Sequence, residues 1–251
     1  MVHFVGAGCG APDLITLRGH RLLSEADVVI YAGSLVNPAL LEAVKPDCEI
    51  HDSAGMTLEE VFAVMRAAEA GGRTTVRLHT GDPALYGAIR EQIDLLKEAG
   101  IPYDVTPGVS AFSGAAAALG VEYTLPGVSQ SVVITRMAGR TPVPEREEIA
   151  SFAAHGATMV VFLSAGLLPA LRERLLAGGY REDTPAAIVY KASWPDEKCV
   201  VGRVGDLPAM AEENGISRMA LILVGEFLGE QYDRSKLYDP AFSHGFREAE
   251  Q

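Results

Sequence analysis

The chain has 251 residues, is 48% hydrophobic and carries a formal net charge of -12 at pH 7. That balance supports buried cores and argues against general nucleic-acid binding, where neutralisation of phosphates by Lys and Arg dominates affinity. Cys9, Cys48 and Cys199 form no C-x-x-C pair, the histidines show no close ligand pair, no apolar window reaches the roughly 18 to 20 residues of a membrane span, and the N-terminal MVHFVGAG lacks a signal-peptide pattern, so the expectation is a cytoplasmic protein with no disulfide framework, no metal site and no membrane partner.

In the first half, the β-rich runs HFVGA (3–7), DVVIYA (27–32), CEIHD (48–52), TTVRLHT (74–80) and YDVTPG (103–108) alternate with LITLRGHRLLSEA (14–26), TLEEVFAVMRAAEAG (57–71) and PALYGAIREQIDLLKEAG (83–100). The second set spaces apolar residues three and four apart, as amphipathic helices do, and Gly71 and Gly100 stand where C-caps belong. Strand and helix in alternation predict a mostly parallel sheet covered by helices. The alanine-rich stretch 106–127 reads as a short buried helix with an exit near Pro126. A second alternation follows, with strands SVVITRM, TMVVFLS, AAIVYKA, KCVVGRVG and MALILVG and helices near 146–154 and 167–177. AAIVYKA and KCVVGRVG lie too close for a helical crossover of about a dozen residues, so they are expected to pair antiparallel. The expected architecture is two α/β domains, residues 1–115 with a mostly parallel sheet and 116–251 with a mixed sheet and a C-terminal tail. Tyr232, Tyr238, Phe242 and Phe246 in that tail are expected to lie against a domain or a partner subunit.

The stretch FVGAGCGAPDLITLRG (4–19) places Gly6, Gly8 and Ala11 on the pattern G-x-G-x-x-G/A of dinucleotide sites. In such sites the helix begins within the glycines, and an acidic residue about 20 positions on closes the second strand to bind a ribose. Here Pro12 and Asp13 follow the glycines, helical spacing starts near Ile15, and Asp27 lies at the wrong end of a strand that finishes Tyr31, Ala32, Gly33. These departures weigh against NAD; a structural turn and a functional loop of another kind both stay open. HTGDPALYG (79–87) and TPGVSAFSG (106–114) also follow strands. Ligands of open α/β sheets bind outside the carboxyl ends of the strands, so the three loops define one crevice.

Segments 2–36, 77–87 and 106–127 together resemble the tetrapyrrole methylases, enzymes that move methyl groups from S-adenosylmethionine to corrin precursors. YAGSLV, SVVITRMAGRTPVP and SKLYDPAFSHGFR are most similar to members that methylate C-11 of precorrin-4 or cobalt-precorrin-4. The resemblance covers nearly the whole chain. It implies two α/β domains with the cofactor in the cleft between them, a homodimer, and S-adenosylhomocysteine as product. Carried over position by position, the implied cofactor contacts are Pro12, Thr80, Gly81, Asp82, Leu85, Ser110 and Ala111, then Ser164, Ala192, Met219, Ala220 and Leu221.

The implied substrate is a macrocycle fringed with carboxylates, which guanidinium groups bind bidentately. Arg136 and Arg140 are the first choices as anchors, with Met137 to cover a ring face, Arg77 and Arg90 behind them, and Tyr31 and Ser34 as further substrate-binding positions. Any cobalt would arrive inside the substrate. The uroporphyrinogen relatives carry an aspartate after the second strand and a lysine after the third; this chain has Ala32 and the pair Asp52, Ser53 there, so no general base is assigned. Asp82 reads first as a carboxylate that stabilises its own loop and second as a conceivable general base, and Trp194 as a packing or interface residue. An NAD-dependent oxidoreductase and a non-catalytic precursor carrier are the alternatives from other classes.

Overall fold

The computed structural model describes residues 1–249 and divides into two compact units, one formed by Met1–Ala115 with Lys191–Glu197, the other by Ala116–Tyr190 with the chain from Lys198 onward. The sequence reading assigns Lys191–Glu197 to the second domain; the structure places it with the first, because it packs on the N-terminal glycine loop.

The first unit holds five parallel strands, β1 (Val2–Gly6), β2 (Val28–Tyr31), β3 (Glu49–Asp52), β4 (Thr75–His79) and β5 (Tyr103–Thr106), in the order β3-β2-β4-β1-β5. Its helices are α1 (Leu17–Glu25), α2 (Leu58–Ala70), α3 (Ile89–Glu98) and the start of α4 (Ala111–Leu119). Side chains alternate across a strand, so one face gathers Val5, Val29, Val76 and Leu78 under Leu23 of α1, and the other gathers Val2, Phe4, Val28 and Ile30 under Val61 and Met65 of α2 and Leu96 of α3. Phe4, Leu23, Ile30, Met65, Leu78 and Leu96 are fully buried, each contributing about 1.5–3 kcal/mol. Thr16 caps α1, and Thr57 and Glu60 form a capping box on α2. Gly71 caps α2, and the left-handed residues are Gly72 and, beyond α3, Gly100.

Helix α3 begins at Ile89, later than its periodic pattern, which starts at Pro83. The intervening residues form a turn that Asp82 initiates by accepting the Ala84 N–H (2.8 Å), and Tyr86 (φ 56°) and Ala88 (φ 49°) leave the helical region altogether. α1 packs on one sheet face and α3 on the other, so the chain leaves β1 and β4 toward opposite faces of the sheet, the arrangement at whose strand ends open α/β sheets bind ligands.

Glycines set how closely these loops approach. A Cβ at Gly108 would lie 2.1 Å from the Gly81 carbonyl oxygen and 2.7 Å from the Gly6 Cα, and one at Gly6 would lie 2.5 Å from the Gly108 Cα. Three backbones therefore meet where no side chain fits.

Strand β4 also buries polar groups beneath the loops. Arg77 is 7% exposed and donates to Gln92 Oε1 (3.1 Å) and the Ile30 carbonyl (3.2 Å). Burial lowers its pKa to about 10, so it stays cationic at neutral pH. His79 is 4% exposed and stacks on Phe4 at 6.0 Å. Burial, then the neighbouring Arg77 charge, pushes its pKa down to about 3, and the ring is neutral.

The second unit carries β6 (Val132–Arg136), β7 (Thr158–Phe162), β8 (Pro185–Tyr190), β9 (Lys198–Arg203) and β10 (Ala220–Val224) in the order β6-β7-β10-β8-β9, with β6 and β7 parallel and the other pairs antiparallel. The expected antiparallel pair is β8 and β9. Helices α5 (Ile149–Ala153), α6 (Leu168–Ala177) and α7 (Leu207–Asn214) cover a core built on Met159, Val161, Ile188, Ile222 and Val224. α7 is absent from the sequence expectations, although Pro208 near its start and the left-handed Gly215 at its end are its signals. The tail is tied to this unit where the Asp233 N–H meets the Pro126 carbonyl (2.9 Å), and Arg247 gathers the carbonyls of Leu237, Asp239 and Phe242. Tyr232, Tyr238, Phe242 and Phe246 are all exposed. Among the described residues no helix is long and apolar enough to cross a membrane, and no cluster of three His, Cys, Asp or Glu could hold a metal.

Two predictions follow from this packing. Gly108→Ala destabilises the protein by about 2–3 kcal/mol in denaturant unfolding, because backbone confronts the new Cβ on both sides, whereas Gly55→Ala, facing open space, stays within about 0.5 kcal/mol of the parent. As pH falls below the unfolded histidine value of about 6.5, the unfolded chain takes up a proton that folded His79 refuses until about 3, so stability is lost in that window by up to about 1.4 kcal/mol per unit. His79→Gln removes this slope, and its stability difference from the parent shifts in its favour by about 2 kcal/mol between pH 7 and pH 5.

Candidate functional site

The first and second loops are joined by backbone pairing. The Gly8 N–H meets the Gly81 carbonyl (3.3 Å), the Gly81 N–H meets the Gly8 carbonyl (2.9 Å), and the Ala7 N–H meets the His79 carbonyl (2.7 Å). Asp82 joins the second loop to the third, its Oδ2 accepting the Gly108 N–H (2.9 Å) while Oδ1 holds Ala84. Both carboxylate oxygens thus serve the loops, which is the first of the two roles the sequence allows for Asp82. Gly81 sits at φ +60°, and a Cβ there would hover 3.4 Å from the Ala111 nitrogen and 3.5 Å from the Ser110 Cα. A side chain at Gly81 would therefore lie over Ser110 and Ala111.

Helix α1 starts only at Leu17, after a 3-10 turn Pro12–Leu14, so its N-terminus does not open within the glycines as a pyrophosphate site requires. The segment Lys191–Glu197 occupies the far side of this first loop. Ser193 Oγ accepts the Ala11 N–H (2.9 Å) and lies 3.3 Å from Cys9 Sγ, Ala192 is buried, and a Cβ on Gly114 would sit 3.4 Å from the Ala192 Cβ. The first unit carries Pro12, Gly81, Asp82, Ser110, Ala111 and Ala192 on these connected loops, with Thr80 exposed and Leu85 half-buried. Sequence reasoning misses Ser193 and the notch that Gly10 leaves for Trp194, since both depend on a partner distant in the chain.

In the second unit Ser164 is fully buried, donating to the Phe162 carbonyl (2.7 Å) and accepting the Met137 N–H (3.0 Å). Its hydroxyl is committed to holding the turn after β6. Ala220 and Leu221 open β10 opposite Tyr190 and Val189, with Met219 just before them. Arg136 donates to the carbonyls of Met137 (3.1 Å), Thr141 (3.2 Å) and Pro142 (2.7 Å). It closes its own loop, and Arg140 stands exposed on that loop. Of the other arginines, Arg77 is buried in the first unit and Arg90 is ion-paired with Asp94 (3.0 Å). Tyr31 ends β2 in register with Asp52 of β3; burial, then the Asp52 charge, raises the phenol above its ordinary value. Ser34 is exposed on the 3-10 turn Gly33–Leu35.

Among the described residues, the non-glycine positions with positive φ are Tyr86, Ala88, Leu163, Lys191, Ser193 and Met219. Each costs on the order of 1–3 kcal/mol and persists only where the surroundings impose it, a pattern concentrated at ligand sites. Every one is at, next to, or within three residues of a position named above from the resemblance: Leu85, Ser164, Ala192 or Met219.

The model of the Tetrapyrrole (Corrin/Porphyrin) Methylases matches residues 1–208. The chain is 51% identical to the cobalt-precorrin-4 C(11)-methyltransferase of Methanocaldococcus jannaschii, covering 99% of this chain and 96% of the relative. It is 45% identical to the precorrin-4 C(11)-methyltransferase of Pseudomonas aeruginosa, covering 99% of each. Its structure is similar to the X-ray structure of a cobalt precorrin-4 methyltransferase, with a TM-score of 0.89 at 46% identity over 91% of this chain and 96% of the other. It is also similar to a uroporphyrin-III C-methyl transferase from Thermus thermophilus complexed with S-adenosylhomocysteine, with a TM-score of 0.74 at 29% identity over 91% and 93%. On sequence and structure together, the chain belongs to the tetrapyrrole methylases.

Proposed function

We propose that the chain transfers the methyl group of S-adenosylmethionine to C-11 of precorrin-4 or cobalt-precorrin-4 in cobalamin biosynthesis. The observation that carries this reading is the coincidence of left-handed non-glycine residues with the loops the family uses, together with near full-length identity to relatives of that name. Cofactor contacts are assigned to Pro12, Thr80, Gly81, Asp82, Leu85, Ser110, Ala111 and Ala192 in the first unit and to Ser164, Met219, Ala220 and Leu221 in the second. The residues fit the group: the cradle over Ser110 and Ala111 would be filled by any side chain at Gly81, and buried Ala192 adds only a methyl.

When bound, S-adenosylmethionine supplies a methyl group already activated by a positive sulfur. The chain's own contribution is orientation, which can be worth about 7–11 kcal/mol in well-aligned reactions without acid–base machinery. Gly81, Ser110 and Ala111 present main chain to the ligand, and Asp82 keeps the second and third loops together. Asp82 is read as a loop-holding carboxylate rather than a general base, since each of its oxygens already accepts a backbone N–H. Arg136 fixes the loop on which Arg140 offers its guanidinium to a substrate carboxylate. The resemblance supports a homodimer, and the net charge of -12 supports a small-molecule rather than a nucleic-acid substrate.

Anaerobic incubation with S-adenosylmethionine and either precorrin-4 or cobalt-precorrin-4, followed by mass spectrometry, tests the activity. The expected product is heavier by one methyl group; no gain on either macrocycle contradicts the assignment. Arg140→Ala is expected to raise the KM for the macrocycle about 10- to 100-fold, the value of a charged hydrogen bond, with cofactor affinity and Tm unchanged. Arg136→Ala raises KM and also lowers Tm, because three loop carbonyls lose their donor.

A further inference from the structure

We infer that Ser193 is a positioning residue that holds the first glycine loop in the shape that receives the cofactor, an inference that rests on the cofactor reading above. Strands β8 and β9 pair from Pro185 with Arg203 to Tyr190 with Lys198, leaving Lys191–Glu197 as the connection. Hairpins usually close with about two to five residues, so this turn is longer than pairing requires.

The extra length is ordered. Lys191 (φ 48°) and Ser193 (φ 65°) both take the left-handed conformation, which neither residue type favours. Within the turn, the Trp194 N–H meets the Lys191 carbonyl (3.0 Å), the Glu197 N–H meets the Trp194 carbonyl (3.0 Å), and the Ser193 N–H meets Glu197 Oε2 (2.5 Å). Lys191 Nζ lies 2.6 Å from Asp196 Oδ2 and 5.2 Å from the centre of the Trp194 ring. These contacts impose the strain and aim Ser193 at the N-terminal loop.

There the Ser193 hydroxyl accepts the Ala11 N–H (2.9 Å). Trp194 stands against Gly10, where a Cβ would come within 2.2 Å of its Cδ1, and Asn37 Nδ2 donates to the Gly10 carbonyl (3.0 Å) from another direction. Gly10 and Ala11 are thereby fixed immediately before Pro12 and its 3-10 turn, which the Leu14 N–H closes on the Ala11 carbonyl (3.1 Å). Without an acceptor at position 193 the Ala11 N–H turns elsewhere and the loop entering Pro12 is released.

Calorimetric titration of the full chain with S-adenosylhomocysteine tests this on Ser193→Ala, Ser193→Gly and Ser193→Asn. Glycine is at ease at this φ but has no acceptor; asparagine tolerates the conformation and offers a side-chain oxygen. The Ala and Gly variants are expected to bind about tenfold more weakly and the Asn variant within about threefold of the parent. Parent affinity in Ser193→Gly overturns the inference, as does an equal loss in Ser193→Asn. Failure of the parent protein itself to bind S-adenosylhomocysteine overturns the cofactor reading as well, and so is distinguishable from failure of the role of Ser193 alone.

Discussion

Contact between backbones at Gly6, Gly81 and Gly108 is the constraint on which the rest of the first unit depends. Adjacent strands place the starts of the first three glycine loops side by side, but only the absence of Cβ atoms lets the main chain of one loop touch the next. Asp82 then fastens the third loop to the second through the Gly108 N–H, and the Gly8 and Gly81 pair fastens the second to the first. A ligand cradled here meets peptide groups held at fixed spacing rather than side chains that must be ordered when it binds. That suits a reaction whose electrophile arrives already activated and whose chief need is alignment.

Strain is distributed in keeping with that role. Left-handed Tyr86 and Ala88 delay α3 and hold the second loop away from helical geometry; Leu163 and Met219 adjoin Ser164 and Ala220; Lys191 and Ser193 shape the long turn after β8. Buried charge lies below the same loops. Arg77 keeps its proton despite burial while His79 gives its up, so the base of β4 carries one fixed positive charge rather than two. The second unit uses a different economy: Ser164 and Arg136 spend their polar groups on the chain itself, leaving Arg140 as the exposed donor of its loop.

Much of this was legible in the residues. Period-two and period-3.6 patterns located the strands and most helices, because each sheet face and helix stripe had to be apolar to be buried, and glycines after strands marked the loops. The delayed start of α3 was not legible, since Tyr86 and Ala88 carry no local sign of a left-handed backbone. Nor could spacing alone separate Arg136 from Arg140: two arginines four apart look equivalent until one is seen to be consumed by the carbonyls of its own loop. The attachment of Lys191–Glu197 to the first unit rests on a hydrogen bond spanning 182 positions, for which local pattern offers no signal.

The central claim is that the loops after β1, β4 and β5, with the turn after β8, form the cofactor's seat. Residue-resolved amide hydrogen exchange of the whole protein, with and without saturating S-adenosylhomocysteine, tests it most directly. The account predicts slowed exchange concentrated at Gly81, Asp82, Leu85, Ser110, Ala111 and Ala192. Binding accompanied by protection elsewhere and none at these amides would contradict it.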